Sequence, residues 1–342
     1  MAISHNINSN IVFSTELDII NISGVVDVLP VAILNRGVTV FTTDYIPDEA
    51  GNVVIYSIKK VVEAYIENVF SDFTFIFGDK SVNVRVIRSV IRISETAAGF
   101  LPSFFLTTLI NSKKTALGRY ETLSFYPQES CNVYAVVSYL DGDTLLSYDV
   151  ELMSADDVIL NAVNIVNVSP SRFVDESRET LVNIVLHAGK RLFTLEIDDM
   201  LPSADPAFIF RNNFGCWETF YLTGTKETEY SIKRSHAYID GYYKQYDFED
   251  TEIFNANSGI LLGNMLSLGM DVARTTNVFL LDIQGAAGDE IVLTDSEIKY
   301  TNDDDALPTF DYTFRRCTVV TALLKTIRPS NLFDKTFDFT FN

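Results

Sequence analysis

The sequence has little histidine, cysteine or tryptophan: three His, three Cys and one Trp in 342 residues. His5, His187 and His236 stand far apart, and no His-Glu-x-x-His, Gly-x-Ser-x-Gly or Gly-x-x-x-x-Gly-Lys string occurs. Zinc-protease, α/β-hydrolase and P-loop chemistry therefore lack their residues. Cys131, Cys216 and Cys317 are odd in number, widely separated and free of any Cys-x-x-Cys pair, which predicts reduced core thiols. Positive charge is scarce as well. With 26 Lys and Arg against 46 Asp and Glu the formal charge is −20, which argues against a basic face for nucleic acid and against binding to an anionic membrane surface. No run approaches the roughly 18 apolar residues of a spanning helix, so no membrane insertion is expected. The first ten residues have neither the basic nor the apolar region of a secretory leader, and the chain is expected to fold in the cytoplasm that makes it.

Phenylalanine and tyrosine are abundant, at 25 and 16 residues, within a composition that is 47% hydrophobic. A chain of this length buries roughly three quarters of its unfolded surface, so a folded protein with a large core is expected. The aromatics lie in short alternating runs bounded by Gly, Asn, Asp or Pro, the signature of strands. Examples are Asp72–Gly78, Val82–Val86, Asn132–Tyr139, Arg191–Ile197, Asn277–Ile283 and Lys335–Phe341. Leu140-Asp-Gly-Asp143 reads as a hairpin turn, because Gly accepts positive φ without penalty and Asp tolerates it. Two stretches break the period of two. Ile58 to Phe70, after Ser57 as a plausible N-cap, and Gly259 to Met270 carry apolar residues at three- and four-residue spacing and predict short helices, each placed across a sheet edge or the end of a sandwich.

The expected fold class is mainly β: tandem β-sandwich-like domains with one or two short helices. The polar, Pro-bearing segment Asn167–Arg172 sets the division, with an N-terminal β-rich domain at 1–168 and a C-terminal β-sandwich-like domain at 169–342. No fixed-period repeat, heptad or low-complexity tract occurs, which disfavours a fibre.

Candidates for chemistry are few, and each has a structural counterpart. Cys216 with His236 would make a thiol–imidazole pair, against a buried thiol and a solvated imidazole. The acids of 247–252 and 303–305 would suit Ca²⁺, against solvated loops; neither matches the twelve-residue calcium loop. Glu218, beside Trp217 and Phe220, would be a general acid if an apolar setting raised its pKa, against a carboxylate bonded to backbone amides. Tyr238, Tyr242, Tyr243, Tyr246 and Phe248 crowd around Gly241; they read as sheet core, as a subunit interface or as a glycan platform.

The segment Phe208-Ile-Phe-Arg-Asn-Asn-Phe-Gly-Cys-Trp-Glu-Thr-Phe-Tyr-Leu-Thr-Gly-Thr225 reads as a strand, a turn and a returning strand. Asn213 and Gly215 supply the turn, and Phe208, Phe210, Trp217 and Phe220 the apolar anchors. It resembles a pattern in virion-associated β-proteins of phages and prophages of Bacteroidetes, including the crAss-like phages. Asn257–Leu261, Asn277–Ile283, Glu290–Ser296 and Thr309–Arg316 resemble the same group in the same order, so the likeness covers most of residues 205–316. Val53–Tyr65 and the segment from Phe105–Leu109 through Leu123–Tyr126 fit more loosely.

That resemblance implies a non-enzymatic structural subunit of a bacteriophage virion, an oligomeric ring, collar or tail component assembled in the bacterial host cytoplasm. It implies no catalytic, cofactor-binding or metal residues. Its structural turn motif runs from Arg211 to Glu218 and includes Asn212, Asn213, Gly215 and Trp217. The implied partners are copies of itself in a ring and neighbouring tail, neck or portal-region proteins, without sequence-specific nucleic-acid binding. An acidic surface suits a place near DNA, because like charge keeps the polymer from sticking. The alternatives are a receptor- or carbohydrate-binding module of the tail tip, using the 238–248 aromatics, and a polysaccharide depolymerase using Glu218 or the acids of 247–252.

Overall fold

The computed structural model describes residues 3–174, 180–198, 200–201, 207–239, 242–261, 263–281, 287–299 and 307–317. The N-terminal part comprises β1 (Ser4–His5), β2 (Ile11–Phe13), β3 (Ile19–Ser23), β4 (Leu29–Asn35), β5 (Val38–Tyr45), β6 (Asn52–Tyr56), α1 (Ile58–Glu63), β7 (Phe70–Phe77) and β8 (Lys80–Ile87). Next come α2 (Ala97–Phe100), β9 (Ser112–Thr115), β10 (Thr122–Phe125), β11 (Val133–Asp141), β12 (Thr144–Met153), β13 (Asn164–Asn167), β14 (Thr180–Ala188) and β15 (Arg191–Ile197). The last part holds β16 (Ala207–Arg211), β17 (Trp217–Tyr221), β18 (Lys226–Ile239), β19 (Tyr242–Asn257), α3 (Met265–Arg274), β20 (Val278–Leu281), β21 (Ala287–Lys299) and β22 (Thr309–Arg316). The protein is mainly β and sandwich-like. Lys335–Phe341, expected as a strand, lies outside the described residues.

Alternation explains the strands. Along β7 the odd-numbered residues Ser71, Phe73, Phe75 and Phe77 are buried, and the even-numbered ones between them are not; a period of two puts one set on the core face. The sheet β2-β8-β7-β4-β5 packs against the smaller sheet β1-β3-β6, and the buried residues of their shared core run from Ile7 to Val86. A second core joins the sheets β12-β11-β14-β15-β9, β10-β13 and β17-β16-β20-β21-β22-β19-β18, with buried residues from Phe105 to Phe314. A third cluster, including Phe13, Phe100, Leu106, Phe214 and Cys216, stands between them. The division expected at 168 and 169 falls inside this arrangement: β14 and β15 follow it, yet pair with β11 and β9, which precede it. The Pro170 segment is a single 3-10 turn with its proline buried.

The expected hairpin is present, β11 and β12 turning through Gly142 at φ +59°. The first helix is shorter than its apolar spacing predicts. It stops at Glu63, and Ser57 sits in the left-handed region without a capping hydrogen bond; Phe70 already opens β7. The second starts later, at Met265, because Gly259 and Gly263 both have positive φ and cannot be helical. Its Leu268 and Val272 are buried in the second core, and Gly269 lies under the Phe310 ring, where a Cβ would come within 2.8 Å of the ring. This helix therefore covers a sheet face, where an edge or an end was expected. Of the three cysteines only Cys216 is a core thiol; Cys131 is half-buried, and Cys317, which follows β22, is exposed.

Candidate functional site

The Arg211–Glu218 motif forms the connection between β16 and β17, with Phe214 and Cys216 in the third cluster and the flanking Phe210 and Phe220 in the second core. The Gly215 amide donates to the Asn212 carbonyl (2.8 Å) and the Asn212 amide to the Cys216 carbonyl (2.9 Å), closing the turn. Asn212 Oδ1 accepts from the amides of Phe214 and Cys216 at 3.0 Å each, and its Nδ2 donates to Leu106 O and to Glu218 Oε2, both at 2.8 Å. Asn213 reaches the other way: its Oδ1 accepts from the Ile91 amide (2.7 Å) and its carbonyl from the Val90 amide (3.1 Å). Both asparagines thus stitch distant segments together, as short amides in turns are suited to do. Gly215 has φ +77°, and a Cβ there would lie 2.4 Å from the Asn68 carbonyl oxygen; only glycine permits that approach. Arg211 donates to Gly215 O (2.7 Å) and Asn68 Oδ1 (3.0 Å) while lying 4.0 Å from the centre of the Trp217 ring, a cation–π contact.

Glu218 is buried at 3% exposure. Its carboxylate accepts from Thr107 Oγ1 (2.9 Å) and Asn212 Nδ2 (2.8 Å), so its partners are side chains where backbone amides were expected. Burial pushes its pKa up to about 7, against the opposing pull of Lys113, Asn212 and Thr107. The raised value suits an acid, but the group is enclosed by protein on a strand buried on both faces. Beside it lies a polar knot that the sequence reading missed. Lys113 Nζ donates to Glu121 Oε2 (2.6 Å) and Thr219 O (2.7 Å), while Thr115 Oγ1 donates to Glu121 Oε1 (2.8 Å) and Thr219 Oγ1 to Oε2 (2.9 Å). Lys113 and Glu121 are 4% and 2% exposed, so each buried charge has its partner and its hydrogen bonds. The one local signal was Thr219, a polar residue amid aromatics; Lys113 lies 106 residues away from it.

Cys216 and His236 are not brought together. Cys216 is sealed in the third cluster, where burial pushes its thiol up to about 12, whereas His236 is exposed on β18. The reactive-pair reading fails because a buried, protonated thiol is not a nucleophile. The side chains of Asp247, Glu249 and Asp250, and all of 303–305, lie outside the described residues; among the described residues no three His, Cys, Asp or Glu converge as a metal shell.

The aromatic cluster sits on the longest hairpin. β18 and β19 pair from Lys226↔Ala256 to Ile239↔Tyr242, with a bulge at Tyr246, while β22 pairs only with Phe254–Asn257 of β19. Among the described residues the remaining length, roughly 40 Å at about 3.4 Å per residue, is a two-stranded ribbon. Tyr238, Tyr242 and Tyr243 are 66%, 72% and 80% exposed, which overturns the core reading for these three. Tyr230 and Ile232 are exposed as well. The Tyr238 and Tyr243 rings meet edge to face, with centroids 5.1 Å apart. The side chains of Tyr246 and Phe248 lie outside the described residues.

In comparisons with known proteins, no family model matches the chain and no curated protein is significantly similar to it.

Proposed function

We propose that this chain is a structural subunit of a bacteriophage virion, an oligomeric ring, collar or tail component that docks sister copies through the 226–257 hairpin. The observation that carries the assembly reading is the exposure of Tyr230, Ile232, Tyr238 and Tyr243 on one face of the ribbon and of Tyr242 on the other. An isolated two-stranded hairpin is marginally stable in water, and large rigid aromatics held outside a core are what interfaces use. The supply of aromatics makes the point sharper: the twelve largest fully buried side chains are all Phe or Tyr, so the core does not need these five. The virion setting rests on the resemblance of residues 205–316, whose turn motif serves packing. Quantitative mass spectrometry of purified particles tests it. The chain should be present in multiple copies per particle; its absence from particles would refute the proposal.

A second reading is favoured by the Tyr238–Tyr243 pair: a tail-tip module that stacks a sugar on exposed rings. Glycan-array binding that vanishes in Tyr242→Ala and Tyr243→Ala, with assembly unchanged, would replace the first reading by this one. A depolymerase acting through Glu218 would need a polysaccharide to reach a carboxyl that Thr107 and Asn212 enclose.

A further inference from the structure

Three of the chain's 26 cationic residues meet in one place. Arg88, Arg211 and Arg274 line a cleft of about 130 Å³ whose floor includes Asn213 and Asp271 and whose rim includes exposed Thr276. In a molecule of charge −20, such convergence of positive charge with a single carboxylate beside it calls for a cause. Asp271 is already engaged, its Oδ2 accepting from Thr108 Oγ1 (2.9 Å) and the Asn213 amide (3.2 Å). Arg211 keeps N–H donors beyond its bonds to Gly215 and Asn68, since a guanidinium has five. Arg88 gives one nitrogen to the Ile66 carbonyl (2.7 Å), while its Nε is buried without a hydrogen-bond partner. Arg274 forms no hydrogen bond or salt bridge among the described residues; burial raises the pKa of Asp271, and the field of Arg274 pulls the other way. As a basic residue in the last turn of α3 it also offsets the helix dipole; that accounts for one of the three arginines and leaves their convergence unexplained.

Burial chiefly disfavours the protonated form of Arg211; Cys216 opposes that, and Arg88 adds to it. An anion between them would reverse that penalty, as arginine forks do for carboxylate and phosphate. Size narrows the choice. The cleft is small against the roughly 300–1,000 Å³ of sites for drug-sized ligands, which favours a small anion over a nucleotide or a saccharide.

We propose that this cleft binds one small oxyanion, inorganic phosphate or the carboxylate of a neighbouring molecule, between Arg88, Arg211 and Arg274. The assignment is independent of the virion reading. The test is thermal unfolding of the full chain in sodium phosphate or sodium acetate, against sodium chloride at equal ionic strength, for the wild type and Arg274→Gln. The wild type should show a saturable Tm rise of about 1–2 °C at ten times the apparent Kd, and Arg274→Gln, each reading taken against that variant's own Tm in chloride, should lose it. Thr276→Glu, which places a carboxylate at the rim, should abolish the response as well. A response to phosphate alone identifies a free tetrahedral anion, and an equal response to acetate identifies a carboxylate; either supports the site. An unsaturable rise of the same size in Arg274→Gln, the mark of general salt exclusion, or no rise beyond chloride in the wild type, overturns it.

Discussion

Glu218 offers the most quantitative test of how the turn motif holds the fold. Its carboxyl is buried and its pKa is raised from 4.5 to about 7, chiefly by desolvation. A raised carboxyl pKa means that the folded state binds the proton more tightly than the unfolded state does. The stability from this group is therefore fully present below about pH 4.5 and is lost as pH rises towards 7. At 1.36 kcal/mol per pKa unit the loss amounts to about 3 kcal/mol. Glu218→Gln keeps the shape and an acceptor for Asn212 but does not titrate. Urea unfolding of wild type and variant at half-unit steps from pH 4.5 to 8 gives the difference between their stabilities, which cancels the other titrating groups. That difference should fall by about 3 kcal/mol in favour of the variant across the range. Two parallel curves would refute the reasoning and mean that folding leaves the Glu218 pKa unchanged.

Gly215→Ala should lose more than about 2 kcal/mol, combining left-handed strain with overlap on the Asn68 carbonyl, whereas Gly142→Ala, at similar φ but in open space, should lose about 1 kcal/mol; equal losses in denaturant titrations would discount the close approach. Lys113→Met strands the buried Glu121 carboxylate and should cost about 3–5 kcal/mol, most of it recovered in Lys113→Met/Glu121→Leu. A single-variant loss below about 1 kcal/mol would show that the knot is not buried as described. Tyr242→Ser/Tyr243→Ser should leave the melting temperature within about 1 °C, since exposed side chains away from packing change stability little, while lowering the chain's self-association; a large drop in Tm would place these rings in a core.

Strands were legible in the sequence wherever one face is buried and the other wet, as along β7, because the alternation is then written in the residues themselves. Helix ends were less so. Val69 and Phe70 continue the helical spacing after Ile66, yet Phe70 belongs to a strand, since apolar residues serve either element and only pairing partners decide. The positive φ at Gly259 and Gly263 shows why α3 begins after both glycines. The turn at 211–218 was visible from Asn213 and Gly215, but what it grips was not: Asn68, Ile91, Leu106 and Thr107 lie more than 100 residues upstream in sequence. The same holds for Lys113 and Glu121, whose shared partner Thr219 lies about a hundred residues away, and for the three arginines, which nothing local connects. Exposure of the hairpin tyrosines was equally hidden, because alternating aromatics look alike on a core sheet and on a ribbon with no second layer.

The measurement that bears most directly on the assembly claim is mass photometry of the purified full chain beside the Tyr242→Ser/Tyr243→Ser variant. The account predicts discrete species at integer multiples of 38.4 kDa for the wild type and a shift to the single-chain mass for the variant. Single chains at every concentration for both proteins would contradict it.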